Sequence, residues 1–308
     1  MSERTHPRVS IIIPAYNEEE SLPILFEELA KLIECRPDYE VILVDDGSTD
    51  RTYQKALECQ KKYSFAKVAR HRRNFGKTRA LLSGLDQAEG EIIVLLDADL
   101  QYMPEDVPKL VAAIDNGSDV VTGWKQGKYE KRLVSSIYNR LSRRIFKIPI
   151  HDQNAVKALR RGVLDDLPLR KDWHRYIIAL AVDRGYTVTE VKVTLHPRRF
   201  GSPKYAGPKR ILIGGLDMIA VKFQLSFMRK PLLLFGTTGV ILLVAGLVVG
   251  LIALYLRFAL DRGFRPVLYL VILLVLAGLS LFALGFLAEA IATVNDKISR
   301  LQKRLPKE

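Results

Sequence analysis

Apolar residues fall into two regimes along the chain. Up to about residue 200 they come in short bursts between polar stretches; from Pro231 onward they run almost unbroken. In the first regime VSIIIP, Val9 to Pro14, is continuous and β-branched, the pattern of a strand buried on both faces. From Glu18 to Ile33 the spacing of Leu22, Leu25, Leu29 and Ile33 predicts a helix. EVILVDDGS (Glu40 to Ser48) predicts a second strand and Thr49 to Tyr63 a second helix. Lys67 to Ala69 follows as a third strand, Gly76 to Ala88 as a third helix, and EIIVLLDADLQ (Glu91 to Gln101) as a fourth strand ending in acids. Strand and helix alternate, so the expected fold is α/β with a mostly parallel sheet.

The second regime contains two long uncharged runs, Pro231 to Leu256 and Pro266 to Ala288. Each exceeds the roughly 20 helical residues that cross a hydrocarbon core, so a transmembrane hairpin is expected. Lys209, Arg210, Lys222, Arg229 and Lys230 precede it; Lys297, Arg300, Lys303, Arg304 and Lys307 follow it; the connection carries Arg257, Arg262 and Arg265. The positive-inside tendency places the N-terminal domain and the tail in the cytoplasm. The opening MSERTHPR leads straight into a strand with no apolar signal segment. Two further stripes alternate with cations. Leu133, Ile137, Leu141 and Ile145 lie among Arg140, Arg143, Arg144 and Lys147, and Leu212, Leu216, Ile219, Phe223 and Phe227 lie beside Lys209, Arg210 and Lys222. Both read as amphipathic helices at a lipid interface or packed on the soluble domain. The expected organisation is a soluble domain over 1–205, a juxtamembrane amphipathic helix over 206–230, the two-helix hairpin over 231–292 and a basic tail over 293–308.

Charge sharpens this picture. The net charge of +13 implies an anionic partner: nucleic acid, a membrane surface or a phosphorylated substrate. The cations gather around the apolar segments and no aromatic-interleaved basic groove appears, so nucleic acid is not expected. Two cysteines, Cys35 and Cys59, supply neither a disulfide framework nor a zinc site by themselves.

Ligands in parallel α/β sheets bind at the carboxyl ends of the strands. Three such ends are polar here: Tyr16-Asn17-Glu18, Asp45-Asp46 and Asp97-Ala98-Asp99. Asp97 and Asp99, with Gln101 two further on, offer hard oxygen ligands of the kind that hold Mg²⁺ or Mn²⁺ against phosphates. Asp45 and Asp46 suit either a base and a ribose hydroxyl or a turn with Gly47-Ser48-Thr49. No G-x-G-x-x-G follows a strand, and His71 stands where a P-loop before Gly76-Lys77-Thr78 needs its first glycine. Asn74, Gly76 and Lys77 still suit a phosphate or sugar at a helix start.

SIIIPAYNEEESL, EVILVDDGSTDRT, RNFGKTRALLSG and DADLQYMPED together resemble the family 2 glycosyltransferases of GT-A fold. GWKQGKYEKRLVSSIYNRL, HDQNAVKALRRGVL, DWHRYIIALAVDRGY and HPRRFGSPKY extend the resemblance, over nearly the whole chain, to the polyprenyl-phosphate hexosyltransferases of the dolichyl-phosphate mannose or glucose synthase type. The resemblance implies a Rossmann-like GT-A domain that transfers mannose or glucose from GDP-mannose or UDP-glucose to dolichyl or undecaprenyl phosphate, with inversion, Mg²⁺ or Mn²⁺ and a membrane. A homo-oligomer is compatible with it. It implies that Pro14, Tyr16, Glu18, Asp45, Asp46, Lys77 and Asp97 line the nucleotide and that Asp97, Asp99 and Gln101 serve the metal. Lys125, Arg132, Ser136, Arg198 and Lys204 would face the acceptor phosphate; Asp99, Arg132 and Lys204 are the catalytic candidates. Two departures stand out: Pro203 where the family usually has Ser, and Asp152-Gln153-Asn154 without the usual following Gly. The first removes a hydroxyl donor; the second weakens any role for Asp152 or Lys157. His174 suits sugar hydroxyls or plain packing.

The chemistry agrees with that list. A lipid phosphate oxygen is already an anion and needs no strong base. A metal offsets the charge of the departing diphosphate, and Arg and Lys offset repulsion between the two anionic substrates. Rival readings are a processive polysaccharide synthase, which would normally carry Q-x-x-R-W and more spans, and a non-enzymatic nucleotide-sugar scaffold. A transporter would need charge within its spans.

Overall fold

A computed structural model describes residues 6–126, 132–170, 172–200, 208–226, 230–259 and 265–302. The chain divides into two compact units, Met1–Arg210 and Ile211–Glu308.

The first unit is built on a seven-stranded sheet. Its strands are β1 (Val9–Ala15), β2 (Tyr39–Asp45), β3 (Ala66–Arg70), β4 (Ile92–Leu95), β5 (Val120–Gln126), β6 (Lys157–Arg160) and β7 (Val188–Thr194), in the order β3-β2-β1-β4-β6-β5-β7. β1 pairs in parallel with β2 and β4, β2 with β3, and β5 with β7, while β6 runs antiparallel to both its neighbours. Every residue of β2, including Glu40 and Asp45, is buried, as expected of a sheet covered on both faces. The helices α1 (Ser21–Cys35), α2 (Thr52–Lys62), α3 (Lys77–Gln87) and α4 (Val107–Asp115) follow β1 to β4, and α5 (Arg132–Phe146), α6 (Arg161–Asp166) and α7 (Ile177–Asp183) belong to the C-terminal half. α1 buries Leu22, Leu25, Phe26, Leu29 and Leu32 in the core, three of them on the predicted stripe.

Two strands stop earlier than their apolar content suggests. β2 ends at Asp45 rather than Ser48, because Gly47 turns with a φ of +69° and the Asp45 carboxylate captures the Ser48 N–H. β4 ends at Leu95 rather than Gln101, since its ladder to β6 ends at Lys157 and Leu100, fully buried, takes a left-handed φ of 59°. The acids beyond β4 therefore sit on a tight turn. Strands β5 to β7 carry no continuous apolar burst and were not predicted.

The second unit holds α8 (Pro208–Ser226) from Ile211 onward, α9 (Pro231–Ala259) and α10 (Arg265–Gln302). α8 covers the second predicted stripe from Leu212 to Phe223, with Leu216 and Ile219 exposed and Met218 and Val221 buried, while Phe227 lies outside the described residues. The segments Pro231–Ala259 and Arg265–Asn295 are long and apolar enough to cross a membrane, and α10 runs on past residue 292. α9 and α10 meet through glycines. A Cβ at Gly239 would lie 2.7 Å from the Gly278 carbonyl oxygen, and one at Gly278 would lie 2.8 Å from that of Gly239. Glu289 accepts the otherwise orphaned Leu232 N–H in the first turn of α9 at 3.2 Å.

α3 lies on β1 and β2 where Gly84 leaves no room for a side chain, since a Cβ there would overlap the Ile12 methyl. Gly84→Ala is expected to cost about 1–3 kcal/mol by overpacking; thermal unfolding of the full-length protein in detergent measures this as a lowered melting temperature.

Candidate active site

The ends of β1 and β2 interlock. Asn17, at a left-handed φ of 52°, donates its N–H to Ser48 Oγ (2.9 Å) and accepts the Thr49 N–H on Oδ1 (2.9 Å), while the Glu18 N–H reaches Thr52 Oγ1 (2.7 Å). The fully buried Asp45 carboxylate accepts the Ser48 N–H at 3.1 Å and pairs with Arg70 Nε at 3.1 Å. Asp46 organises a second loop. Its Oδ1 accepts the Phe75 N–H (2.9 Å) and meets His71 Nδ1 (2.7 Å), and its Oδ2 accepts the Gly76 N–H (2.8 Å). His71 Nε2 in turn meets Ser83 Oγ on α3 at 2.9 Å. Gly47 presses so closely on the backbone of Arg73 that any Cβ would overlap it. Both acids thus bond to the loops that wall these strand ends. His71, which in the sequence merely spoils a P-loop, joins two of those walls; a polar side chain between a strand and a Gly-led helix is the signal that marks it. Pro14 lies on β1 opposite Val44, and Tyr16 follows that strand, half-buried at the same end of the sheet.

The turn after β4 holds the acid pair. Lys77, the first residue of α3, bonds to Asp97 Oδ1. Arg198 donates from Nη2 to Asp99 Oδ2 at 2.6 Å and brings Nη1 to 3.8 Å from Glu18 Oε1. Asp99 Oδ1 accepts the Gln101 N–H at 3.2 Å, and the Gln101 carbonyl accepts the His196 N–H at 3.0 Å, which ties the segment carrying Arg198 to this turn. Strand order and loop contacts therefore unite Glu18, Lys77, Asp97, Asp99, Gln101 and Arg198 from four separate parts of the sequence.

The two carboxylates titrate apart. Burial opposes ionisation of Asp97, but Lys77, with Lys157 and Arg198 beyond it, outweighs burial and holds Asp97 below the usual carboxylate range. Burial and the Asp97 charge push Asp99 up to about 6 against the pull of Arg198. The two acids thus lose their protons in widely separated pH ranges, Asp97 first. Among the described residues no group of three or more His, Cys, Asp or Glu forms a metal cluster. Two carboxylates and an amide still fit Mg²⁺ or Mn²⁺, which commonly take one or two protein carboxylates and complete their shell with water and substrate phosphates.

A third group lies across β6. Lys125 Nζ pairs with Asp152 Oδ2 at 3.0 Å, and Asp152 is otherwise held by the Asn154 N–H (2.9 Å) and by a Thr122 bond to its carbonyl (3.1 Å). Lys157, opposite Leu95 on β4, is buried and donates to the Ala155 carbonyl at 2.8 Å. Burial, then the like charge of Lys77, brings its ammonium down to about 7 against the pull of Asp97 and Asp152. The departures noted in the sequence gave Lys157 little weight; a lysine inside a short apolar strand was the available signal. His174 Nδ1 meets Thr78 Oγ1 at 2.9 Å beside the start of α3. Arg132 and Ser136 belong to α5, but their side chains lie outside the described residues, as do Pro203 and Lys204.

Residues 10–167 match the profile of glycosyl transferase family 2. The chain belongs to this family and is a glycosyltransferase with a GT-A α/β domain followed by apolar helices. It is 34% identical over 299 residues to the dodecaprenyl-phosphate galacturonate synthase of Rhizobium johnstonii, covering 92% of this chain and 87% of the relative. It is 33% identical over 261 residues to the undecaprenyl-phosphate 4-deoxy-4-formamido-L-arabinose transferase of Pseudomonas fluorescens, covering 83% of this chain and 75% of that one. The fold is also that of Mycobacterium tuberculosis glucosyl-3-phosphoglycerate synthase, solved with Mn²⁺, UDP-glucose and phosphoglyceric acid. The TM-score is 0.58 at 21% identity, over 71% of this chain and 79% of that one.

A proton on Asp99 would compete with a cation for the same oxygens, so Mn²⁺ affinity is expected to be highest well above about pH 6. It should fall as the pH drops through about 6, approaching about tenfold per pH unit below it. Titration of Mn²⁺ by electron paramagnetic resonance from pH 5 to 8 checks this; a flat profile contradicts it. Asp46→Ala strips the Phe75 and Gly76 N–H groups of their acceptor and is expected to cost about 2–3 kcal/mol in unfolding free energy.

Proposed function

We propose that this glycosyltransferase moves a hexose from a nucleotide diphosphate sugar to a polyprenyl phosphate at the cytoplasmic face of a membrane that it crosses twice. The observation that carries the reading is the acid pair Asp97 and Asp99, faced by Lys77 and Arg198 at a strand end of a family 2 chain. The acceptor class draws support from relatives named for dodecaprenyl- and undecaprenyl-phosphate enzymes and from two apolar helices of membrane-crossing length. The cationic flanks of those helices support a cytoplasmic catalytic domain and termini.

Pro14, Tyr16, Glu18, Asp45, Asp46 and Lys77 form the nucleotide side, where the Asp46-bound loop shapes the wall that meets the base and ribose. Asp97, Asp99 and Gln101 would hold Mg²⁺ or Mn²⁺, which when bound neutralises charge on the departing diphosphate. Lys125, Arg132, Ser136 and Lys204 take the acceptor phosphate, and Arg198, beside Asp99, is placed to clamp phosphate on either substrate. Asp152, paired with Lys125, keeps that ammonium in place rather than removing a proton, since the attacking phosphate oxygen is already anionic. Attack opposite the leaving diphosphate inverts the anomeric carbon.

The test is incubation of membranes containing the protein with labelled GDP-mannose, UDP-glucose or UDP-galacturonate and undecaprenyl phosphate, with and without a chelator. A lipid-extractable product from one donor, lost with chelator and reduced at least 100-fold in Asp99→Ala, is expected. Arg132→Ala should raise the KM for lipid phosphate while leaving that for the donor unchanged. Labelled product that stays water-soluble, or full activity of Asp99→Ala, overturns the reading.

A further inference from the structure

Asp99 has a cation already in place. Arg198 bonds to its Oδ2 at 2.6 Å, with the guanidinium a quarter exposed and the carboxylate only 12% exposed. The other oxygen, Oδ1, accepts the Gln101 N–H. Both oxygens are therefore engaged, one by a backbone group that cannot leave without unfolding the turn and one by a side chain that can. The second contact of Arg198, with Glu18, is longer at 3.8 Å. Its segment is pinned nearby through the His196 N–H on the Gln101 carbonyl, so the guanidinium can swing without losing its anchor.

A divalent cation and a guanidinium both seek Oδ2 of this carboxylate, and two positive charges there repel each other strongly where water is largely excluded. A guanidinium freed from a carboxylate retains its charge and five donors and matches a phosphate in two-point geometry. We infer that Arg198 and a divalent cation are alternative partners of Asp99, and that the cation's arrival hands Arg198 to a phosphate group of the substrates. Arg198 is thus a coupling residue: it weakens binding of the bare metal and strengthens binding of the metal together with a diphosphate. Free metal is discouraged from occupying the acids alone, which favours entry of metal and nucleotide as a pair. This rests on the metal role given to Asp99 above.

The experiment measures Mn²⁺ binding to the full-length protein in detergent by electron paramagnetic resonance, with and without UDP or GDP, for wild type, Arg198→Ala, Arg198→Lys and Asp99→Asn. Without nucleotide, Arg198→Ala should bind Mn²⁺ about fivefold more tightly than wild type, the scale of one partly exposed charge-assisted bond. With nucleotide the order should reverse, and Arg198→Lys should fall between the other two. Equal or weaker binding of bare Mn²⁺ by Arg198→Ala overturns the competition, and the absence of a reversal overturns the transfer to phosphate. Asp99→Asn separates the two levels of the argument: undiminished Mn²⁺ binding by it removes the metal site itself, whatever Arg198 does. Unfolding curves of all four proteins exclude loss of fold as the cause.

Discussion

Two carboxylates at the end of one strand repel each other, and much of the catalytic unit serves to hold them together. The repulsion is visible in their divided titration, with Asp97 held low and Asp99 pushed up to about 6. Three devices offset it. The turn is locked by a buried Leu100 in left-handed conformation and by the Gln101 N–H on Asp99. Lys77 neutralises Asp97 from the start of α3, and Arg198 neutralises Asp99 from beyond β7. Neither cation is near the acids in sequence, so the pair depends on the sheet that brings α3 and the segment after β7 to the end of β4.

That sheet has a seam. β1 to β4 form a parallel half whose strand ends converge, and β6 joins it to β5 and β7 in the opposite direction. The reversal lets residues 152–157 approach the acid pair from the far side, so that Lys157 and the Lys125–Asp152 pair contribute charge to the same cleft. On the near side, Asp46 shows how one carboxylate can build a site: it gathers two backbone N–H groups and His71, and so converts residues 71–76 from a tether into a wall.

The apolar helices follow a different constraint. Helices long and apolar enough to cross a membrane gain no hydrophobic drive to associate within lipid, so contact between such helices relies on close packing. Gly239 and Gly278 provide it by removing side chains where the two backbones meet, and Glu289 satisfies a backbone group at the start of α9 that would otherwise be left bare in an apolar setting.

Much was legible in one dimension. The four leading strands, the first three helices, the acidic strand ends and the two long apolar runs all announce themselves through spacing and composition, because burial on both faces demands unbroken β-branched runs and a bilayer demands length. Their family motifs carried the glycosyltransferase assignment as well. Strands β5 to β7 were not legible: their apolar residues are interrupted by Thr, Lys and Glu, and only pairing partners distant in the sequence make them strands. The same holds for the roles of individual charges. The spelling D-A-D announces oxygen donors but not which cation already holds each acid, and nothing adjacent to Asp46 or Lys157 shows that one shapes a loop and the other is buried with its ammonium on the Ala155 carbonyl. Local pattern determined which segments would be buried and which chemistry they could offer; tertiary structure alone decided which charges face one another, because electrostatic energy depends on distance through space and not along the chain.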